Sequence, residues 1–364
     1  MRERMRATQL LKWAIAILLY RSRALGLFHR LRNRHTLTVV VFHRVLRRDD
    51  PRTRTAFAEW TIGDEAFEAC LAFFLRHFNL VSLDDVMEAT YGEGRLPHRS
   101  LLLTFDDGFA DNLDYALPLL RKYKAPTVVF VSTDLIGRAE RLWTEDLLWA
   151  ARAGYLHEAD LQALYRLVTG HAPSAEGGSA AVVREIVRAG PSYALAAVEA
   201  ALGAPIDLER ISEPRQMLDR EDIIELARHG MAIGAHGKTH TALDHAQDLT
   251  DELETPRATL RALLGRSARP GMDALAFPHG VYTAEIVDRA LATGYRLVFT
   301  TDGGLAALIK GRLRGSVIGR INVDGQRIAE HGRLRPERLA ITLFTQRHAP
   351  LAGQGRYAAD APRL

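Results

Sequence analysis

The chain has 364 residues, of which 47% are hydrophobic and 25% are charged. This balance is typical of a globular protein with a large buried core and excludes a disordered chain. The single cysteine, Cys70, excludes an internal disulfide framework. The net charge of +4 is unevenly distributed, since residues 1–35 contain nine Arg or Lys and one acid. The remainder is net acidic, which does not fit a nucleic-acid-binding body.

The first segment, residues 1–35, is predicted to be basic and amphipathic. Its apolar stretch, Trp13–Tyr20, lies between Lys12 and Arg21 and is too short to span a bilayer. It lacks an obvious small-residue cleavage site, which argues against a secretory signal. Two interpretations stay open. One is peripheral contact with an anionic membrane, with a cytoplasmic or inner-membrane location; the other is a helix docked on the protein's own surface.

Short apolar, β-branched runs recur along the rest of the chain and predict buried strands. Amphipathic helical patterns separate most of them, for example from Phe67 to Phe78 and from Arg220 to His229. This alternation predicts parallel β/α units, and about seven strands in one domain favour a barrel over an open sheet. The runs are Leu37–Phe42, Leu101–Phe105, Thr127–Val131, Met231–Ala235, Ala274–Phe277, Leu297–Thr300 and Val317–Ile321.

We therefore expect an α/β fold, a distorted (β/α)7-type barrel, over residues 36–346. Residues 151–215 interrupt the strand–helix alternation with an Ala-rich, helix-prone sequence. They are predicted to form a helical insertion, which is either a lid that shapes the substrate site or a spacer without function. The tail, residues 347–364, has little periodicity and is expected to be loose.

Polar side chains able to do chemistry come within two residues of the carboxyl ends of five of these runs. The carboxyl ends of the strands in a β/α barrel meet at one rim, and that rim carries the active site. We therefore expect these side chains to lie close together. They are His43, the pair Asp106 and Asp107, His236, His279 and Asp302.

The two adjacent acids and the later pair His236 and His240 indicate a metal site. Neighbouring carboxylates repel each other and are costly to bury unless a cation neutralises them. One Asp and two His form a familiar ligand set for a catalytic divalent metal ion with an open position. The second Asp is then free to act as a base. Taken singly, the Asp-Gly pair also fits a turn, and a His pair is a weak signal among 14 histidines.

Together, Thr104-Phe105-Asp106-Asp107-Gly108 and His236-x-x-x-His240 resemble the first two motifs of the polysaccharide deacetylase family. This family is also called the NodB-homology family or carbohydrate esterase family 4. The resemblance extends from about residue 37 to 325, apart from the insertion. The segment Val40–Val45, which contains His43, is similar to the Tyr-His segment of the circularly permuted members. That branch includes the poly-N-acetylglucosamine deacetylases.

The resemblance implies a role for each matching residue. It implies that Asp107, His236 and His240 bind a divalent metal ion, with Zn²⁺ expected first and Co²⁺ or Ni²⁺ as alternatives. It also implies that Asp106 is the general base and His43 the general acid. The residues that would contact substrate or support these groups are Pro278, His279, Asp302 and Arg320.

The third and fourth motifs depart from the family pattern. Many members have an Arg in the third motif that orients the base, but none stands beside Pro278, and His279 replaces the usual Tyr. The Asp-Trp pair of the fourth motif is reduced to Asp302-Gly303-Gly304, and the late Leu-x-x-His motif is missing. One hypothesis is that Arg320 takes over the role of the absent Arg.

The resemblance implies a metal-dependent hydrolase that removes acetyl groups from N-acetylated sugars of a polysaccharide, such as an exopolysaccharide. The expected partner is an N-acetylated glycan, and no nucleic acid is expected. Two alternatives stay open. An esterase or amidase of the same fold could act on an O-acetyl or non-sugar substrate, because both reactions share a tetrahedral intermediate. A degenerate, non-catalytic glycan-binding protein is the other, although the intact motifs argue against it.

Overall fold

The computed structural model describes residues 13–54, 56–137, 156–169, 215–265 and 270–348, with positions 147, 151, 182, 183 and 186. Of the predicted insertion at 151–215, helix Glu158–Thr169 is described, and most of the rest lies outside the described residues. Residues 1–12 of the basic segment and residues 349–364 of the predicted tail also lie outside them.

A large, mainly parallel sheet forms the centre of the protein. Short antiparallel or parallel pairs extend it or stand beside it. The described strands are β1 Thr36–Phe42, β2 Arg44–Leu46, β3 Thr61–Gly63, β4 Asn79–Leu80, β5 Ser100–Phe105, β6 Thr127–Val131, β7 Ala232–Ala235, β8 Ala274–Ala276, β9 Leu297–Thr300, β10 Ala306–Ile309, β11 Arg312–Leu313, β12 Val317–Gly319, β13 Ile321–Asn322, β14 Ala329–Glu330 and β15 Arg333–Leu334.

Seven parallel strands, called staves below, close this sheet into a barrel; β12 and β13 together make up the seventh. The order runs from β1 through β5, β6, β7, β8 and β9 to β12. β12 and β13 are two halves of one broken stave, because β12 pairs with β9 and β13 pairs with β1. Arg320 stands at the break between them. The distorted (β/α)7-type barrel predicted from the sequence is confirmed, and each predicted apolar run contributes one stave.

The staves are apolar on both faces because side chains fill the barrel and helices cover it. Every residue of β1, β5 and β6 is buried. Alternate residues belong to two clusters: Val39, Leu102, Phe130 and Phe299 pack inside the barrel, while their neighbours along each strand pack against the outer helices. Helix Leu83–Tyr91 shares the inner cluster and so closes the barrel at the amino ends of the staves.

The other described helices surround the barrel or connect its staves. Helix Leu83–Tyr91 and helix Arg220–Arg228 each begin with a capping box, in which Ser82 pairs with Asp85 and Asp219 with Asp222. The two helices predicted from Phe67 and from Arg220 are present, with ends that differ by a few residues. The helices are Asp64–His77, Leu117–Lys122, Arg220–Arg228, Leu249–Leu264, Ala284–Ala292, Gly325–Ile328 and Pro336–Phe344.

The basic amino-terminal segment is helical over residues 13–21 and Ala24–Arg32, and it docks on the barrel. The His29 ring is buried between the rings of Phe78 and Phe344, with centroid distances of 4.6 and 4.1 Å. Asn33 donates a hydrogen bond to the Phe344 carbonyl oxygen at 2.8 Å. Among the described residues, no helix combines the length and the apolar character needed to cross a membrane.

Candidate active site

Asp107, His236 and His240 follow β5 and β7 at the carboxyl end of the barrel, and their side chains converge. One ligand atom from each lies within 4.8 Å of the other two. Asp107 Oδ1 is 3.3 Å from His236 Nε2 and 3.1 Å from His240 Nε2. All three residues are buried. The structure therefore brings together the three residues that the sequence nominates as metal ligands.

The donor set fits a divalent metal ion. His236 Nδ1 donates a hydrogen bond to the Ala276 carbonyl oxygen at 2.9 Å, so Nε2 is the ring atom that faces Asp107 and is available as a metal ligand. His240 turns Nε2 to the same carboxylate, and its buried Nδ1 has no hydrogen-bond partner within the described chain. Two imidazole nitrogens and one carboxylate oxygen are ligands that Zn²⁺ prefers, with a fourth position open to water or substrate.

Two of these residues stand on strained backbone. Asp107 has φ 74° and His240 has φ 66°, in the left-handed region that non-glycine residues rarely adopt and that recurs at functional sites. Gly237, between the histidines, has φ 71°, and a Cβ there would lie 3.0 Å from Pro278 Cγ and 3.1 Å from Glu252 Oε2. Glycine is required at this position both for its conformation and for the close approach.

Glu252 fixes the loop between the two histidines. Its Oε2 accepts hydrogen bonds from the backbone N–H of Lys238 at 2.7 Å and of Thr239 at 3.2 Å, and its Oε1 accepts one from the Thr239 hydroxyl. The residue is buried although it is acidic, and it extends from helix Leu249–Leu264. Glu252 was not among the candidate residues predicted from the sequence. An acid on the apolar face of an amphipathic helix was the signal that could have indicated it.

Asp106 is held away from the ligand set by Arg320. The guanidinium binds it in a fork, with Nη1 2.6 Å from Oδ1 and Nη2 2.7 Å from Oδ2, and Arg320 Nε also donates to the Thr300 carbonyl oxygen at 3.3 Å. Burial alone would raise the pKa of Asp106, but Arg320, helped by His236, lowers it. The Asp106 carboxylate is therefore ionised at neutral pH and oriented by both of its oxygens.

Neighbouring groups shift the pKa values of Asp107 and His236. Burial opposes ionisation of Asp107, but hydrogen bonds from His236 and His240 hold its pKa well below the usual range. Burial likewise opposes protonation of His236, but the charge of Asp106 and the contact with Asp107 raise its pKa. A metal ion and these protons compete for the same atoms, so metal binding is expected to release protons.

His43 comes directly after β1 at the same rim. Its ring stacks on Trp60 at a centroid distance of 5.8 Å, and its buried Nδ1 makes no hydrogen bond in the described structure. The Asn112 side chain donates to the His43 carbonyl oxygen at 2.9 Å. Burial lowers the pKa of His43 although the Asp107 charge opposes this shift. The imidazole is therefore neutral at pH 7 before substrate binds.

A buried ion pair fixes the chain next to His43. Arg44 Nε donates to Asp111 Oδ2 at 2.9 Å, and the Val45 N–H donates to Asp111 Oδ1 at 2.9 Å. Both charged side chains are almost fully buried. This pair joins the turn after β1 to the segment after β5, and no sequence motif predicted it.

Pro278 and His279 border the metal-ligand cluster after β8. The His279 ring packs against the His240 ring at a centroid distance of 4.5 Å, and its Nε2 donates to the His240 carbonyl oxygen at 3.1 Å. Burial lowers the pKa of His279 to about 3, so the ring is neutral at physiological pH. Pro278 is buried beside Gly237. Both residues support the loop that carries the second histidine ligand.

Asp302 is the one nominated residue whose contacts lead away from the cluster. Its side chain is exposed, and Oδ2 accepts hydrogen bonds from the Tyr282 hydroxyl and, at 3.1 Å, from the Thr300 hydroxyl. These hydrogen bonds join Asp302 to Tyr282 and Thr300 and not to the metal-ligand cluster. Arg320, and not Asp302, contacts Asp106.

Comparison with known proteins assigns the family. Residues 93–298 match the polysaccharide deacetylase family. Solved structures with a similar fold include Streptococcus pyogenes deacetylase PplD in complex with acetate, with a TM-score of 0.52, 19% identity, and coverage of 85% of this chain and 99% of that one. IcaB from Ammonifex degensii has a TM-score of 0.52 and 18% identity, and the match covers 85% of this chain and 97% of that one. BC0361, a polysaccharide deacetylase from Bacillus cereus, has a TM-score of 0.50 and 14% identity, and the match covers 85% of this chain and 69% of that one. No curated protein matches the sequence.

The family match covers more than half of the chain and contains both acids and both histidines of the cluster. The similarity to solved structures, at these identities, shows the shared fold. His43 and Arg320 lie outside the matched range, one before it and one after it. The chain belongs to the polysaccharide deacetylase, or NodB-homology, family, whose activity is the hydrolytic deacetylation of polysaccharides.

Proposed function

We propose that this protein is a metal-dependent N-deacetylase that removes acetyl groups from N-acetylated sugars of a polysaccharide. The observation that carries the proposal is that two adjacent acids have different partners. Asp107 faces two histidine nitrogens, whereas Asp106 is bound on both oxygens by Arg320. One carboxylate is thus available to a metal ion and the other remains free to accept a proton.

Asp107, His236 and His240 would hold the ion, with Zn²⁺ as the first choice and Co²⁺ or Ni²⁺ compatible with the same ligands. When bound, such an ion supplies Lewis-acid chemistry, since it polarises a carbonyl group and lowers the pKa of water. The hydrogen bond from His236 Nδ1 to Ala276 fixes the orientation of that ring before the ion arrives.

Asp106 would take the proton from the attacking water. Its lowered pKa keeps it ionised at neutral pH, and the Arg320 fork prevents it from rotating into the ligand set. A positioned general base typically accelerates such a step by about 10² to 10⁴. In this arrangement Arg320 is a positioning residue, because it acts on the substrate only through Asp106.

His43 would deliver a proton to the leaving amine. An amide nitrogen that leaves without a proton is a poor leaving group, so the reaction needs an acid on that side of the substrate. The unpartnered Nδ1 and the stack on Trp60 leave the ring both oriented and free to bind. Because the ring is neutral at rest, it must first gain a proton, and the proton removed from water by Asp106 supplies one.

Acetate release is the direct test. The zinc-loaded protein is assayed on chitooligosaccharides, on poly-N-acetylglucosamine oligomers and on an O-acetylated glycan, each with and without a chelator. We expect acetate from N-acetylated substrates, loss of activity with the chelator and recovery with added Zn²⁺. Acetate from the O-acetylated glycan alone would assign an esterase. Glycan binding without acetate release under any condition would assign a non-catalytic protein.

A further inference from the structure

Exposed apolar side chains are concentrated in the amino-terminal helices. Seven of the ten large hydrophobic side chains that are exposed in the described chain lie within residues 15–31. Leu18 is 67% exposed and Leu31 is 72% exposed. Such a patch on a folded surface marks an interaction site. The seven are Ile15, Ile17, Leu18, Leu19, Leu27, Phe28 and Leu31.

These side chains are not needed to attach the helices to the barrel. The inner faces already do so, because Ala16, Leu25 and His29 are buried and Tyr20 stacks on Phe73. Of the apolar side chains named above, Leu18, Leu27 and Leu31 lie on the opposite faces, and the other four lie on the flanks of the helices. Each helix is therefore apolar on two sides, with one side packed and the other in solvent, which is a costly arrangement for a surface that binds nothing.

The same segment is strongly basic. Arg21, Arg23, Arg30 and Arg34 are exposed around the apolar side chains, and the sequence has no acid between Glu3 and Asp49. A helix with an apolar face bordered by cations binds at the interface of an anionic bilayer, where apolar burial and headgroup attraction add. A second copy of this chain would bring a like-charged surface against it, so the charge favours lipid.

A second basic surface lies at the same end of the barrel. A cleft of about 490 Å³ is lined by Arg95, Lys310, Arg312 and Arg314 among others, with Arg312 3.5 Å from Glu93. Strands β10 and β11 contribute residues to this cleft. β10 lies beside the beginning of β1, with which it pairs through Thr36↔Ala307 and Leu37↔Ala306. The amino-terminal helices reach the barrel at this point. We call Arg34, Arg95, Lys310 and Arg314, which are exposed at this end, the basic floor.

We propose that the exposed face of the amino-terminal helices and the basic floor together form a docking surface for an anionic phospholipid bilayer. β1 begins at this end and has seven residues before His43, so the metal-ligand rim lies about 20 Å away at the opposite end of the barrel. Docking in this way holds the active-site rim away from the bilayer, where it can meet a glycan in the aqueous phase. The proposal does not depend on catalysis.

Vesicle flotation of the full-length protein tests this surface. Vesicles of phosphatidylcholine alone are compared with vesicles that also contain phosphatidylglycerol. We expect binding to the anionic vesicles, weakened by salt. The double variant Leu18→Asn with Leu31→Asn should bind at least about tenfold more weakly, whereas Leu75→Asn, which alters an exposed leucine on another helix, should bind like the wild type. Lys310→Gln should weaken binding about fivefold.

Two results would overturn the proposal. One is the absence of wild-type binding to anionic vesicles, and the other is equal binding by the double variant and the wild type. Sedimentation velocity is measured in parallel. A dimer that the double variant converts to a monomer, with no lipid binding by the wild type, would assign the face to self-association instead. Equal thermal midpoints of the variants and the wild type would show that the substitutions leave the fold intact.

Discussion

Arg320 binds both carboxylate oxygens of Asp106, at 2.6 and 2.7 Å, from a position 214 residues further along the chain. The contact exists because the last stave of the barrel is interrupted at Arg320, between β12 and β13. The guanidinium is almost fully buried and also contacts the Thr104 hydroxyl at 3.4 Å. One interruption in a strand thus places a fixed positive charge beside the proposed base and leaves the neighbouring acid to the metal site.

Arg320→Lys should retain the charge but lose the fork, because an ammonium group cannot bind both oxygens in one plane. We expect kcat to fall by about a hundredfold through misorientation of Asp106, with little change in KM and an unchanged zinc content. Steady-state kinetics and metal analysis check this. Arg296→Lys, at an exposed arginine that packs on Tyr91, is the matched control. A wild-type kcat in Arg320→Lys would remove Arg320 from the catalytic account.

Asp106→Asn should keep the metal ion and lose turnover. The amide still fits beside Arg320 but cannot accept the proton, so kcat should drop by about 10² to 10⁴. Acetate release and the zinc-to-protein ratio are measured on the same sample. Acetate release at the normal rate by this variant would show that another group is the base.

Glu252→Gln should weaken metal binding without removing a ligand. The neutral amide cannot accept the Lys238 and Thr239 hydrogen bonds as strongly, so the loop that sets the spacing of His236 and His240 loosens. We expect about tenfold to a hundredfold lower zinc affinity in a chelator competition. The adjacent Asp251→Asn, which loses only a half-exposed contact to the Lys238 ammonium, should show wild-type affinity. Equal affinities in the two variants would contradict this role.

Mild acid should loosen the amino-terminal helices. Burial lowers the pKa of His29 to about 3, against 6.5 in an unfolded chain. Its ring accepts a hydrogen bond from Asn33 and donates one to the His77 carbonyl oxygen, which requires the neutral form. A depressed folded-state pKa means that this stabilisation is complete above pH 6.5 and is lost as the pH falls toward 3.

Limited proteolysis at the exposed Arg21 and Arg23, followed from pH 7 to pH 4, measures this change. Cleavage by an acid-tolerant protease should accelerate as the pH falls, after correction for its own pH dependence. His29→Phe keeps a ring between Phe78 and Phe344 but cannot be protonated, so its cleavage rate should depend less on pH. Burial also lowers the pKa of His77, to about 4, and accounts for the dependence that remains. Identical pH profiles for the two proteins would contradict the role of His29.

The barrel was predictable because each stave is buried on both faces and therefore appears as a short apolar run. The position of the rim followed from the same runs, since polar residues such as His43 and Asp106 come directly after them. Local sequence patterns carry this information because strand burial and strand ends are local properties. The same logic placed His236 at the end of β7, where the structure has it.

Other parts of the site depend on contacts between distant segments. The family resemblance suggested that Arg320 orients Asp106, and the structure has this contact, but the run Val317–Ile321 does not reveal the interruption of the strand that makes it possible. Glu252 acts from a helix after the second histidine, and only its position on the apolar face of that helix marks it. Asp302 follows a strand as the others do, yet its side chain accepts hydrogen bonds from Tyr282 and Thr300 instead of contacting Asp106. A residue's position at the end of a strand predicts that it lies at the rim. The contacts that its side chain makes there depend on residues from distant parts of the chain.

The proposed mechanism requires that Asp107, His236 and His240 bind one metal ion while the neighbouring Asp106 does not. The zinc-to-protein ratio of purified, folded variants measures this requirement. We predict about one zinc ion per chain in the wild type and in Asp106→Asn, and almost none in Asp107→Ala or His236→Ala. An undiminished ratio in either alanine variant, or loss of zinc from Asp106→Asn, would contradict the account.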